Sequence, residues 1–444
     1  MAKIVIVGGG FGGLAAARAL KNTPTQIVLI DRTNHNVFQP LLYQVATSVL
    51  SSNQIGSPIR GILRDQENTI VILGEVTGVD KERKCILVSN ADREGVPLEY
   101  DYLILATGAT HSYFGHDEFE KYAPGLKTLA DAEAIRNKIL QAFERAEAEE
   151  DPSLHRDLLT FILVGAGPTG VEMAGAIAVL VRGMLKSEFR RIDPSSARIV
   201  LVDMAPRILG TFSEDLSSAA QKRLEKLGVE VRLGRSVDQI DANGIVVAGE
   251  RIASKTVVWT AGVAPSPAGK WLKAETDRAG RVRVQKDLSV PGHPEIFVIG
   301  DTASLDQHGQ PLPGVAQVAI QQGRYVGKLL RKRVIDKQRG KQTGERTPRP
   351  FSYFDKGNMA VVGKGFAVLQ SGFIHLSGLV AWFAWAAVHL QFLATSSLRL
   401  GVFLQWVWTF FTGQRGSQLI VNDRGLAIEK PAAEAPLRAA ASRK

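Results

Sequence analysis

The chain has 444 residues, a net charge of +10 and 45% hydrophobic content, enough for two or three domains with ample core. Its one cysteine, Cys85, excludes an intramolecular disulfide and a Cys-x-x-Cys redox pair, and with them any paired-thiol relay. The basic balance suits a nucleic acid or an anionic membrane surface, and equally plain solubility.

Met-Ala-Lys leads directly into an apolar strand with no signal peptide ahead of it, so the chain is expected on the cytoplasmic side. Residues 3–7 and 27–30 read as short β-branched strands of a parallel sheet, with a helix over Leu14–Leu20 between them. Between strand and helix stands Gly8-Gly-Gly-Phe-Gly-Gly13. Gly8 permits the tight turn, Gly10 lets backbone approach a pyrophosphate, and Gly13 lets the helix pack on the strand. The helix N-terminus offers free N–H groups to phosphate. Asp31, 18 residues after Gly13, can accept from ribose hydroxyls.

Val37–Ala46 is expected to form a loop near the bound cofactor. Tyr102–Gly108 reads as a strand ending in a glycine turn, and residues 130–150 as a charged, solvated connector helix. A second fingerprint, Gly165-Ala-Gly-Pro-Thr-Gly170, follows the strand 160–164, about 155 residues after the first. Asp203 ends the next strand, 198–202, and favours NADH because an acid repels a 2′-phosphate; Arg207 nearby weakens that preference. Further strands are expected at 230–233 and 256–259. Glu172 falls in the first turn of the second helix, near the nicotinamide end. An acid there equally serves the helix dipole, worth about 0.3–1 kcal/mol.

Glu295–Asp301 reads as another core strand capped by Gly-Asp, so the first domain is expected to resume near 285. Gln317 and Gln321 lie four apart and share a helix face. Their amides suit a carbonyl oxygen in an apolar slot, or simply a polar helix surface. Residues 331–350 hold eight Lys or Arg and read as a basic linker. From Phe366 to Leu398 there is no Asp, Glu, Lys or Arg, and four of the six tryptophans stand at 382, 385, 406 and 408. Leu379, Trp382, Phe383, Ala386, Leu390 and Leu393 recur at helical spacing. Two amphipathic helices in a membrane interface, split at Thr395-Ser-Ser397, fit better than one spanning helix; a buried core or dimer helix is the other reading. Burying four tryptophans in lipid is worth at most on the order of 15–25 kcal/mol, against about 1 kcal/mol per basic residue near an anionic leaflet.

Two dinucleotide turns in one chain, with Ala106-Thr-Gly108 and Gly300-Asp301, resemble the two-dinucleotide-domain flavoproteins of the glutathione reductase type. The resemblance implies an α/β fold of two Rossmann-like domains, with non-covalent FAD on the first turn, Asp301 on the ribityl chain, and NADH on the second domain, which Gly262 closes. Phe38-Gln-Pro-Leu-Leu-Tyr-Gln-Val-Ala46, Gly167-Pro-Thr-Gly-Val-Glu172, Ala316-Gln-x-Ala-x-Gln321 and Asn358–Lys364 sharpen it to type II NADH dehydrogenase. Met173 and Ala176 depart from that pattern, where Phe and Glu are expected. The family resemblance implies electron transfer from NADH to a membrane quinone without proton pumping. It places Glu172, Gln317 and Gln321 in catalysis and Pro40, Gln317 and Gln321 at the quinone. Phe11, Arg32, Val76, Thr107, Gly108 and Thr169 join the glycines and aspartates as cofactor contacts.

The implied organisation is a flavin domain in two parts, 1–112 and 285–330, around a connector, 113–158, and an NADH domain, 159–284. A membrane-anchoring region over 331–430 and a disordered tail over 431–444 follow. Lipid and quinone are the expected partners, a homodimer fits by resemblance, and nucleic acid is not expected. The competing readings are a soluble flavoprotein reductase of a small electron carrier and a redox-sensing nucleic-acid binder; neither uses the aromatic C-terminal stretch.

Overall fold

The computed structural model describes residues 1–340 and 348–421. The expected tail, 431–444, lies outside them, as do 341–347 of the expected linker and 422–430 of the expected anchor.

Two parallel sheets dominate. The first runs in the order 289–290, 293–298, 102–105, 2–7, 25–31, 69–73, so a strand from beyond residue 290 pairs beside the N-terminal strands. The register sets Ile4–Val7 against Ile27–Ile30 on one side and against Tyr102–Leu105 on the other. These residues are apolar on both faces because both faces are covered, one by the helices Phe11–Ala19 and Ala316–Gln338 and the other by the antiparallel strands 75–80 and 85–89 with the short helix Ala268–Leu272. The second sheet runs 229–233, 198–203, 160–164, 256–259, entirely parallel. Each sheet carries a small three-stranded antiparallel companion, 75–80/85–89/96–99 and 237–241/244–247/250–253.

The helix Phe11–Ala19 packs along the helix Ala316–Gln338. The latter runs through the start of the expected basic linker, which is therefore helical as far as Gln338. The expected solvated connector is also corrected. The helix Leu129–Ala148 starts at a Thr128–Asp131 capping box and buries Ile135, Ile139, Phe143 and Ala146 in the main core. Most of its charged residues occupy the outer stripe, and Arg136 is buried. The segment 37–46 is not an open loop: a short strand, His35–Val37, leads through a 3-10 turn into the helix Leu42–Ala46, all of whose residues are buried.

The charge-free stretch after Phe366 begins as a β-hairpin. Strands Asn358–Val361, Ala367–Ser371 and Ile374–Gly378 form a meander, followed by the helices Leu379–Phe392 and Ser396–Thr412. The break near Thr395 falls where expected, and Thr395 caps the second helix through the Leu398 N–H. The helices do not divide into one apolar and one polar face. Ala381, Trp385, Val402 and Trp406 are buried in the protein, while Leu400, Phe403, Leu404, Val407, Trp408 and Phe411 form an exposed apolar row at i, i+3, i+4 spacing. Only one of the four tryptophans, Trp408, is exposed, so the tryptophan share of any lipid insertion is smaller than four rings would give. Among the described residues, the one helix long and apolar enough to cross a bilayer, Pro168–Ser187, is mostly buried in the core.

Candidate active site

Both glycine turns are built as cradles. Gly8 takes φ +103° and Gly165 φ +110°, a region closed to ordinary side chains. At Gly10 and Gly167, where each helix begins, a Cβ would meet nothing within 4 Å, which leaves open space for a ligand to approach the backbone. Asp31 accepts from the Gly9 N–H at 2.6 Å and from Thr33 at 2.7 and 2.8 Å. Asp203 accepts from the Ala166 and Ala205 N–H groups. Both carboxylates are held at the sheet's carboxyl edge beside their turn, where a ribose belongs.

Asp301 is enclosed beside Lys127. Burial raises its pKa and the Lys127 ammonium opposes the shift, while burial lowers that of Lys127. The Asp301 carboxylate accepts no hydrogen bond from the described residues, which leaves its oxygens for hydroxyls of a ligand. Thr107 bonds Ser266 and Thr302, and Thr302 donates to the Gly108 carbonyl at 2.9 Å, fixing the floor beside it. Gly262 turns at φ +72° against the Phe114 ring. Val76 is buried in the core that includes Val5 and Val28, and Arg32 is exposed beside Asp31.

One cavity of about 890 Å³ lies between the first turns of the two nucleotide-domain helices, with Lys127 and Gly262 in its walls. Its walls include Phe11, Pro40, Thr169, Glu172, Gly262 and Gln317. Three glutamines in the first two turns of the Ala316 helix do three different things. Gln317 lines the cavity. Gln321 clamps the Phe354 backbone, donating to its carbonyl at 2.9 Å and accepting from its N–H at 3.0 Å. Gln322, 1% exposed, accepts from the Gly300 N–H at 2.6 Å and holds the turn that carries Asp301. Gln317 and Gln321 thus share a helix face without sharing the cavity.

Glu172 is buried, and its Oε1 accepts from the Val361 N–H at 3.2 Å. Burial pushes its carboxyl up to about 8, with the Val361 bond acting against it, so it is protonated at neutral pH. Tyr43 is buried beside it and held well above the usual phenol range by burial and by the Glu172 charge. Gln44 donates to the Tyr43 hydroxyl at 3.0 Å, and Trp406 donates to Gln44 Oε1 at 2.7 Å, so the last helix reaches the cavity wall through two hydrogen bonds. His389 stacks on Trp385 at 4.5 Å, meets Phe38 edge-on and donates from Nδ1 to the Trp385 carbonyl at 2.7 Å. Burial lowers its pKa to about 4, so it stays neutral.

The pyridine nucleotide-disulphide oxidoreductase family model matches residues 2–323. The type II NADH:quinone oxidoreductase Ndh of Mycobacterium tuberculosis is 45% identical over 434 residues, covering 96% of this chain and 91% of that protein. The NdhA enzyme of the same organism is 43% identical over 433 residues, covering 95% and 89%. The chain belongs to the type II NADH:quinone oxidoreductases of the pyridine nucleotide-disulphide oxidoreductase family. In fold it resembles NDH2 of Plasmodium falciparum in complex with NADH, with a TM-score of 0.83 at 22% identity, covering 94% of this chain and 99% of that one. The disulphide in the family's description has no counterpart here, since Cys85 is buried and single.

Sequence reading did not single out Tyr43 and Lys127, which line the cavity, or Gln322 and Arg415, which hold backbone beside it. Arg415, 8% exposed, donates to the carbonyls of Thr47 and Ala176, one turn beyond Glu172. An isolated arginine in a terminal segment carries no periodic signal. Tyr43 lies inside the Phe38–Ala46 motif and Gln322 one residue past the Ala316–Gln321 motif, and neither position carries a signal of its own.

Proposed function

We propose that the chain oxidises NADH through non-covalent FAD and reduces a membrane quinone to quinol, with no protons pumped. The observation that carries this is the single cavity bounded by both dinucleotide folds, a protonated buried acid and a neutral amide. The first turn, Asp31 and Asp301 fit the pyrophosphate, ribose and ribityl groups of FAD. The flavin, when bound, supplies a two-electron acceptor that NADH can reduce and a quinone can reoxidise. The second turn seats the NADH pyrophosphate, and Asp203 accepts from its ribose. Phe11 and Phe38, edge-to-face at 5.9 Å, help keep water from the reacting rings. Gln317 donates its amide to a quinone carbonyl, and Gln321 keeps that helix face in register by fixing Phe354. Glu172 holds the proton that the quinone oxygen needs.

The exposed apolar row of the last helix, with Leu379, Val380 and Phe383 before it, fits insertion into one leaflet. Lys356 and Lys364, each over a phenylalanine ring of these helices, suit lipid phosphates at its edge. We place this face on the cytoplasmic side of the membrane; it also suits a second copy of the chain. A stopped-flow trace tests the reading. NADH bleaches the flavin absorbance, and added quinone restores it. A colourless protein that takes up no FAD overturns it.

A further inference from the structure

The helix Leu379–Phe392 enters the wall of the main cavity through Val388, His389, Gln391 and Phe392. Side chains in a helix lean toward its N-terminus, so the His389 ring reaches back one turn. Its Nδ1 stands 2.7 Å from the Trp385 carbonyl oxygen. A carbonyl oxygen can only accept, so Nδ1 carries a hydrogen. Stacked on Trp385 and met edge-on by Phe38, the ring is held in that orientation. Trp385 lines a second, smaller chamber of about 120 Å³, which shares only Glu172 and Tyr43 with the main cavity among the described residues. The imidazole thus has Trp385 behind it and the main cavity in front.

In a neutral imidazole one nitrogen donates and the other accepts. Burial lowers the His389 pKa to about 4, with the Trp385 bond acting against it, so the ring is neutral. With the hydrogen on Nδ1, Nε2 presents a lone pair. It has no hydrogen-bond partner among the described residues, and it is open to the cavity.

The cavity wall therefore holds two neutral side chains of opposite sense. The Gln317 amide donates to a quinone carbonyl and equally well to a quinol oxygen. The Nε2 lone pair gains nothing from a quinone carbonyl, which has only lone pairs to offer. Once that oxygen is reduced it carries an O–H, and Nε2 accepts from it. A contact made equally with substrate and product lowers KM without speeding the chemical step. A contact that strengthens along the reaction speeds it.

We infer that His389 is the hydrogen-bond acceptor for the quinol hydroxyl, a contact that forms only as the quinone oxygen is reduced. The inference rests on the quinone-reducing reading above. His389 neither supplies nor removes a proton: the O–H bond of the quinol stays intact, and Nε2 only accepts from it.

Equilibrium dialysis of the whole oxidised protein under argon gives Kd for duroquinone and for duroquinol. His389→Phe keeps a ring on Trp385 and removes both nitrogens. In that variant the affinity for duroquinol is expected to fall about three- to tenfold, while that for duroquinone stays within about twofold. Two-bond proton–nitrogen spectra of the parent, labelled with nitrogen-15 at histidine, read the tautomer directly. The signal is assigned by its loss in His389→Phe or His389→Gln, and a bare Nε2 is expected. Equal changes in the two affinities overturn the inference, as does a hydrogen found on Nε2. If duroquinone fails to reoxidise the parent's reduced flavin, the quinone-reducing reading falls and takes the inference with it. Where reoxidation proceeds, the split between the two affinities judges His389 alone.

Discussion

At the first glycine turn Gly8 takes φ +103°, and at the second Gly165 takes φ +110°. A Cβ on the third glycine, Gly13 or Gly170, would lie 1.8 or 1.9 Å from the carbonyl oxygen of the first. Each turn's aspartate accepts from the N–H just after its first glycine. The two helices part company two residues past the third glycine, where one carries Ala15 and the other Glu172. The first helix is locked against Ala316–Gln338, because a Cβ on Gly323 or Gly327 would come within 2.2 or 2.8 Å of the Gly12 or Ala16 carbonyl oxygen. The second lays Gly175 against the Gly363 backbone and leaves Glu172 between two cavities. The local pattern fits a pyrophosphate in both places. On the proposed function, tertiary neighbours make one helix a support and the other a carrier of chemistry.

The largest effects are expected where the turns are alike. Gly13→Ala and Gly170→Ala force a Cβ into backbone, and each is expected to cost about 3–5 kcal/mol in urea unfolding. Gly10→Ala and Gly167→Ala add a methyl to open space and change stability by less than about 1 kcal/mol. They weaken ligands instead: the first should lose flavin on gel filtration, the second should raise KM for NADH. Equal destabilisation at Gly10 and Gly13 would break the claim that one is kept open for a ligand and the other closed by packing.

Next come the positions where the turns differ. Glu172→Gln is expected to slow quinone reduction about 100-fold, a usual scale for a lost general acid, and to spare flavin reduction by NADH. Ala15→Gly should spare both half-reactions and cost only about 0.5–1 kcal/mol of stability. With the Glu172 pKa raised to about 8, the parent's quinone step holds below that pH and falls above it. The same group sets a stability slope. Between pH 4.5, its unperturbed pKa, and about 8 the native state keeps a proton that the unfolded chain has lost, so stability falls as pH rises across that window. Glu172→Gln should remove that slope. A flat parent profile would place the acid in water.

The doubled turns were legible because strand, glycine spacing and terminal acid are all local. Glu172 and Gln317 were legible through the motifs around them. What escaped detection depends on contacts distant in sequence. Gln321 carries the same amide as Gln317, but the extended segment at Phe354 captures it. The helix Leu129–Ala148 looks solvated by charge, yet its apolar positions meet a core assembled from both sheets. The stretch after Phe366 reads as two helices split near Thr395, and the hairpin at its start escapes because a strand and a helix there alike need no charge. No periodicity within it separates Trp406, aimed at Gln44, from Trp408 on the outside.

Those two tryptophans carry the comparison of inward and outward faces onto one helix, and here the expected effects are smallest. Trp406→Phe keeps most of the packing and removes the N–H that Gln44 accepts. Leaving that buried acceptor short costs about 1–3 kcal/mol in urea unfolding. Because Gln44 also orients the Tyr43 hydroxyl, KM for quinone should rise while KM for NADH stays fixed. Trp408→Ser touches no buried partner, so stability in detergent should move by less than about 0.5 kcal/mol. Its effect belongs to the lipid: the variant should partition more weakly onto vesicles. High salt alone should release neither it nor the parent, since apolar insertion outweighs about 1 kcal/mol per basic residue. If salt strips the parent cleanly, the basic residues hold the protein and the outward row has another occupant.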